Sequence, residues 1–297
     1  MRYTVIGSAT AAALLIIIIA SVRIIGGRGL EPFDPQVHLV LDEACTVNAR
    51  FVPLEGSLNT RDAGGYVTES GQTVRTGIFY RSGHFSRLTD ADLETLEVLG
   101  IQTVVDLREP RRAASYPNRL PETVTLLHMP IYDDTKPLHL ELLFNRKAID
   151  DRFSSYYIEY LEIWGHRMQG VFELLADGTN TPMVIHCSNG KDRVGVITAL
   201  LLELLGVPRD VIVSDFLLSN LHLEEALESF IVHEEGRYIL WLGIPREDLH
   251  ALMGVNPQWL TGALEYMDDV YGSVENYLTQ RVGLDEATLE AIRRRML

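Results

Sequence analysis

The chain has 297 residues, enough to bury a sizeable core without covalent staples, and its 2 cysteines, Cys45 and Cys187, are too few for a disulfide framework. Its 41 acidic against 26 basic residues give a formal charge of −15, which excludes a protein that coats nucleic acid. Any anion site must therefore be built locally.

The N-terminus is the sharpest break in composition. Between Arg2 and Arg23, the stretch Tyr3 to Val22 carries no charge and is rich in Ala, Leu and Ile. At about 1.5 Å rise per residue such a helix just crosses a bilayer core of roughly 30 Å, so residues 1–25 are expected to form an uncleaved single-pass transmembrane helix. A cleaved signal peptide is the main alternative and a buried helix of a soluble domain the other; Ala20-Ser21-Val22 makes a poor small-residue cleavage site. Positive charge nearly balances across the segment. The acidic downstream chain does not oppose export, so the expectation is a membrane-anchored, exported, periplasmic domain, with secretion after cleavage as the alternative. Gly26-Gly27-Arg28-Gly29, Pro32 and Pro35 then read as a linker over 26–47, leaving 48–297 as one domain.

Within that domain strand and helix signals alternate. Ile78-Phe79-Tyr80 is a short strand candidate, and Thr89 with Asp92 makes a capping-box start for a helix carrying Leu93, Leu96 and Leu99, stopped by Gly100. Thr103-Val104-Val105 reads as a buried strand ending at Asp106-Leu107-Arg108, followed by strands over 123–129 and 183–185. A long helix is expected from about Asp151 to Leu175. Beyond Arg193 the pattern is helical: 195–205, then segments around 209–234, 247–254, 257–271, 273–282 and 285–296. Strands separated by helices imply an α/β fold, with a mostly parallel central sheet flanked by helices and a helical C-terminal part. In such sheets ligands bind at the carboxyl ends of the strands.

At one of those ends lies Met183-Val184-Ile185-His186-Cys187-Ser188-Asn189-Gly190-Lys191-Asp192-Arg193-Val194-Gly195. A strand that ends in Cys187 and turns through Gly190 into a helix near Arg193 brings successive backbone N–H groups onto one point, with the helix N-terminus adding positive potential. Such a cradle suits a phosphate or sulfate, and it favours the cysteine as thiolate, the nucleophilic form. Arg193 can reach back over the loop and grip two phosphoryl oxygens in a planar fork. Gly190-Lys191 is not a Walker loop, because that pattern needs Gly at Ile185 and Ser or Thr at Asp192. A sulfurtransferase loop is typically one residue shorter than Cys187 to Arg193.

These residues resemble the Cys-based phosphatases of the C-x5-R type, and more narrowly the bacterial lipid-phosphatase-like protein tyrosine phosphatases. The resemblance rests on His186-Cys187-x-x-Gly190-Lys191-Asp192-Arg193, Asn59-x-Arg61-Asp62-x-Gly64-Gly65 and Tyr80-Arg81-Ser82-Gly83. It extends through Leu99-Gly100-Ile101, Asp106-Leu107-Arg108, Ser214-Asp215-Phe216-Leu217-x-Ser219-Asn220 and Tyr271-Gly272-Ser273, covering about residues 52–297. It implies a Cys-based phosphatase fold for 48–297 and a two-step phosphomonoester hydrolysis through a phosphocysteine on Cys187, with no metal and no cofactor. Ser188, Asn189, Gly190, Lys191, Asp192 and Arg193 would bind phosphate. Partners would be a phosphorylated protein or phospholipid, and the membrane through the N-terminal helix; nucleic acid is not among them. The rival readings are a phosphate-binding module with weak or lost catalysis and a thiol-based redox or sulfurtransferase protein.

The leaving group needs a proton, and Asp192, inside the cradle and matching the family pattern, is the first choice; Asp134, Asp133 and Asp106 are the alternatives. Lys191 reads as a second positive charge in the pocket or as a solvated loop lysine. His186 is expected to be a core histidine that tunes the loop, and Arg61, Asp62, Arg81 and Arg108 to be buried ion-pair scaffolding. Cys45 is expected to be an inert thiol, with reversible pairing to Cys187 as the alternative. Arg293-Arg294-Arg295 reads as a surface run compensating a helix dipole. Val194 departs from the family, which usually places Thr or Ser after the arginine to hydrogen-bond the departing thiolate.

Overall fold

The computed structural model describes residues 50–133, 146–222, 227–228 and 253–297. Segments 1–25 and 26–47 with Cys45, Asp134, and most of 223–234 and 247–254 lie outside the described residues. Among the described residues no helix is long and apolar enough to cross a membrane.

Among the described residues the domain is built on five strands: β1 (Arg61–Asp62), β2 (Phe79–Ser82), β3 (Thr103–Asp106), β4 (Thr125–His128) and β5 (Met183–His186). They lie in the order β1-β2-β5-β3-β4, with β1 antiparallel to β2 and the other pairs parallel. The mostly parallel sheet expected from the sequence is therefore present. The register sets Ser82 and Asp106 on either side of His186, so three strands finish together directly under Cys187.

Strands β2, β3 and β5 are buried at every position, polar ends included, because both faces of the sheet are covered. Alternate side chains then feed opposite faces. Phe79, Val105, Met183 and Ile185 join the larger apolar cluster, and Tyr80, Val104 and Val184 join the smaller one. The smaller face is covered by α1 (Asp90–Val98), whose Thr89 and Asp92 form the expected capping box and whose Leu96 is fully buried. Asp92 also accepts from the N–H groups of Glu55 and Gly56, tying the chain's entry to this helix. A short α2 (Pro110–Ser115) follows β3.

The larger face is covered by α3 (Arg146–Glu162), α4 (Gln169–Asp177), α5 (Asp192–Leu204) and α6 (Arg209–Leu217), with α7 (Pro257–Tyr271), α8 (Val274–Tyr277) and α9 (Glu286–Met296) around them. The single helix expected over Asp151–Leu175 is in fact two, separated by a 3₁₀ turn at Gly165–Met168. Gly165, at the start of that turn, lies so close to Tyr277 that a Cβ there would meet its hydroxyl at 2.6 Å. Helix α5 begins at Asp192, beside the start expected near Arg193, and its first turn completes the loop after β5. The helix expected from 209 gives way after Leu217 to a 3₁₀ turn over Leu218–His222. The 273–282 segment divides into α8 and a π-helical turn over Leu278–Val282.

Candidate active site

Cys187 follows β5 and is 2% exposed, at the floor of the loop that runs through Ser188, Asn189, Gly190 and Lys191 into α5. Three successive carbonyls of this loop are held from outside. Ser188 O accepts from the His84 N–H at 3.2 Å, Asn189 O from Asn59 Nδ2 at 3.2 Å, and Gly190 O from Asn59 Nδ2 at 3.0 Å and Arg81 Nη2 at 2.8 Å. In a trans peptide the following N–H points the opposite way, so the N–H groups of Asn189, Gly190 and Lys191 face the concave side. Gly190 is required at its position: its φ is +66°, and a Cβ would lie 2.5 Å from the backbone of Ser82.

The residues that pin the loop are themselves locked. Asp215 on α6 accepts from Arg61 Nε at 3.0 Å, Arg81 Nη1 at 2.7 Å and Tyr66 Oη at 2.7 Å, all buried. Burial disfavours its charge, but the two guanidiniums and the tyrosine hold the Asp215 pKa far below the usual carboxylate range. Asn59, at φ +62°, accepts from Arg61 through Oδ1 while its amide holds the loop. Arg61 and Arg81 are thus scaffold, as expected. So is Asp62, whose oxygens accept from the N–H groups of Gly64 at 2.7 Å and Gly77 at 2.5 Å.

Arg193 is 6% exposed and returns over the loop. Its Nη1 donates to Glu109 Oε2 at 3.0 Å and Leu107 O at 3.3 Å, and Nη2 reaches Ser188 Oγ at 3.3 Å. Its Nε is buried and without a partner among the described residues. The guanidinium lies 4.8 Å from the centre of the Tyr132 ring. Burial opposes its charge, but Tyr132, Cys187 and Glu109 raise its pKa well above the ordinary value. Glu109, held ionised by Arg193 against its own burial, therefore anchors one side of the fork and leaves Nε and Nη2 toward the loop. The sequence reading missed Glu109, although it directly follows the strand-end signal Asp106-Leu107-Arg108.

Lys191 is 7% exposed, donates to Gly254 O at 2.9 Å and lies 5.6 Å from the centre of the Phe153 ring. It is a buried ammonium and not a solvated loop lysine; burial lowers its pKa, which Asp192 and Cys187 partly offset. Asp192 stands at the first turn of α5, its side chain 20% exposed, with Oδ2 3.9 Å from Lys191 Nζ. Its Oδ1 accepts from Tyr157 Oη at 2.8 Å.

Two of the alternative acids, Asp106 and Asp133, lie in tight ion pairs. Asp106 is 2% exposed and accepts from the Arg108 backbone N–H at 3.0 Å, Arg108 Nη2 at 2.6 Å and Asn118 Nδ2 at 2.9 Å. Burial would raise its pKa, but these bonds hold it at about 2, as suits an anchor for Arg108. Asp133 is exposed and doubly paired with Arg167 at 2.9 and 3.1 Å, which keeps its carboxylate ionised. His186 is fully buried, stacked on Phe85 at 5.3 Å and pushed down to about 4 by burial. It is a neutral core histidine, as expected.

The family model described as "Tyrosine phosphatase family" matches residues 52–297, from before the first strand to the C-terminus. The chain belongs to the tyrosine phosphatase family. The phosphatase is 31% identical, over 81% of its own chain and 96% of the relative, to the triple specificity protein phosphatase PtpB of Mycobacterium tuberculosis. It is also 31% identical to a tyrosine-protein phosphatase of Nostoc commune, over 49% of each chain. Among solved structures, the catalytic domain of the PP-IP phosphatase SIW14 of S. cerevisiae aligns at 14% identity, covering 57% of this chain and 77% of that one, with a TM-score of 0.32. The protein is accordingly a phosphoric monoester hydrolase of the protein phosphatase kind.

Proposed function

We propose that this phosphatase acts first on phosphotyrosine, with phosphoserine, phosphothreonine and phosphoinositides as further substrates, through a phosphocysteine on Cys187. The observation that carries the reading is the outward pinning of the Ser188, Asn189 and Gly190 carbonyls above Cys187, with Arg193 folded over the same loop. The Cys187 thiolate attacks phosphorus, the P–O ester bond breaks, and Asp192 gives its proton to the leaving oxygen. Water then attacks the phosphocysteine, losing a proton to Asp192, and the S–P bond breaks to return the thiolate and release phosphate. The loop N–H groups and the Arg193 fork stabilise the charge on the phosphoryl oxygens in both steps. The Mycobacterium tuberculosis relative is named a triple specificity phosphatase, which supports the wider substrate range. Phosphoinositides, with more than one phosphate, would also draw on the Lys191 charge.

The full chain should release phosphate from an aryl phosphate without added metal and be inhibited by vanadate. Cys187→Ser should abolish release, and Arg193→Lys should lower kcat/KM by roughly 10²–10³-fold. Full activity in Cys187→Ser would overturn the reading. We also place the catalytic domain on the exported side of a membrane, tethered by residues 1–25; the uncharged run Tyr3 to Val22 supports this. Fractionation of expressing cells with external protease tests it, and a protected, non-sedimenting enzyme would contradict it.

A further inference from the structure

Tyr157 lies fully buried on α3. Its ring is held among Phe216 at 5.9 Å, Tyr160 at 6.1 Å and Trp259 at 6.2 Å, supplied by α6, α3 itself and α7. A side chain enclosed in this way keeps one rotamer, so its hydroxyl is a fixed point. That hydroxyl donates to Oδ1 of Asp192 at 2.8 Å. Oδ2 of the same carboxylate is 3.9 Å from Lys191 Nζ, beyond hydrogen-bond range. The two oxygens of Asp192 are therefore unequal: one is capped by a rigid donor, and the other has no such cap from Tyr157.

We propose that Tyr157 is a positioning residue for Asp192, fixing Oδ2 as the oxygen that carries the proton to the leaving group. The proposal rests on the reading of Asp192 as the acid. As the S–P bond forms and the P–O ester bond breaks with its electron pair on the leaving oxygen, the Oδ2 proton moves to that oxygen. The resulting carboxylate is stabilised at Oδ1 by the Tyr157 hydroxyl, since hydrogen bonds to the charged form favour it. In the second step a proton of the attacking water returns to Oδ2. Burial and the neighbouring Asp192 push the Tyr157 pKa well above its ordinary value, so the phenol stays a donor throughout. The titratable groups facing Asp192 are Lys191 from the loop and Tyr156, Tyr157 and Tyr160 from α3; α6 and α7 contribute the apolar rings of Phe216 and Trp259 behind Tyr157.

The test uses the full chain and a series of aryl phosphates of graded leaving-group pKa, with kcat and KM followed across pH for Tyr157→Phe, Asp192→Asn and the double variant. Tyr157→Phe should lower kcat roughly tenfold on the poorest leaving group and little on the best, with KM unchanged. Loss of the donor favours the protonated carboxyl, so the basic limb of the pH profile should move up by roughly one pH unit. In the Asp192→Asn background the same substitution should add nothing. A parental leaving-group dependence and pH profile in Tyr157→Phe, with Asp192→Asn clearly altered, would overturn the proposal alone. Parental behaviour in Asp192→Asn would remove the acid assignment, and the proposal with it. If Tyr157→Phe does not fold, 3-fluorotyrosine at 157, a stronger donor of the same shape, should move the basic limb to lower pH; an unmoved limb overturns the proposal.

Discussion

Glu109 bonds Arg193 Nη1 at 3.0 Å and so decides which edge of the guanidinium faces the loop. Glu109→Ala should lower kcat/KM by about 10- to 100-fold, the worth of one charge-assisted hydrogen bond, as measured by steady-state hydrolysis of an aryl phosphate. Val194 is fully buried in the larger apolar cluster, one residue past the arginine. A hydroxyl there would help the thiolate leave, so Val194→Thr should speed the breakdown of the phosphoenzyme by about 10- to 100-fold in single-turnover experiments. The same change buries a polar group among apolar neighbours and should cost about 1 kcal/mol or more of stability. At this scale Cys187, Lys191 and Arg193 were legible because their spacing is local. Glu109 and Tyr157 were not: their partners Arg193 and Asp192 lie 84 and 35 positions along the chain.

The loop between β5 and α5 keeps its shape because β1, β2 and α6 converge on it through Asp215, Arg61 and Arg81. Asp215→Asn would leave two buried guanidiniums without their shared counter-charge and should destabilise the fold by about 3–5 kcal/mol in denaturant unfolding. Gly190→Ala meets the Ser82 backbone and a positive φ together, so phosphate binding and turnover should both be lost. Elements with strong local signals were readable from sequence: the Thr89 capping box of α1, the buried strands β3 and β5, and α7 and α9. The two-residue β1 carries no periodicity to read, and the break between α3 and α4 falls at Gly165, whose close approach to Tyr277 is a tertiary contact that no local pattern announces. The Arg61 to Asp215 pair spans 154 positions, so its charges could be called scaffold but not paired from the sequence.

As a whole the molecule is acidic, at −15, yet it gathers Arg61, Arg81, Arg108, Lys191 and Arg193 in or beneath one end of its sheet. The fold class followed from the alternation of strand and helix signals; the helices' packing around α5 did not, because apolar periodicity names a buried face but not its neighbour. Burial depresses His186 to about 4 and His84 to about 3, against about 6.5 when unfolded. Between these values the unfolded chain binds more protons than the native one, so stability is full above pH 6.5 and falls as the pH drops toward 4. Denaturant titrations should show this loss, and a flat profile from pH 6.5 to 4.5 would contradict the neutral assignment of these two histidines. The catalytic account is tested most directly by acid-quenching the full chain during turnover of an aryl phosphate and mapping the mass of the Cys187 peptide. One added phosphoryl group on Cys187 is expected, accumulating because Val194 slows its hydrolysis. Turnover with Cys187 unmodified, or undiminished in Cys187→Ser, would contradict it.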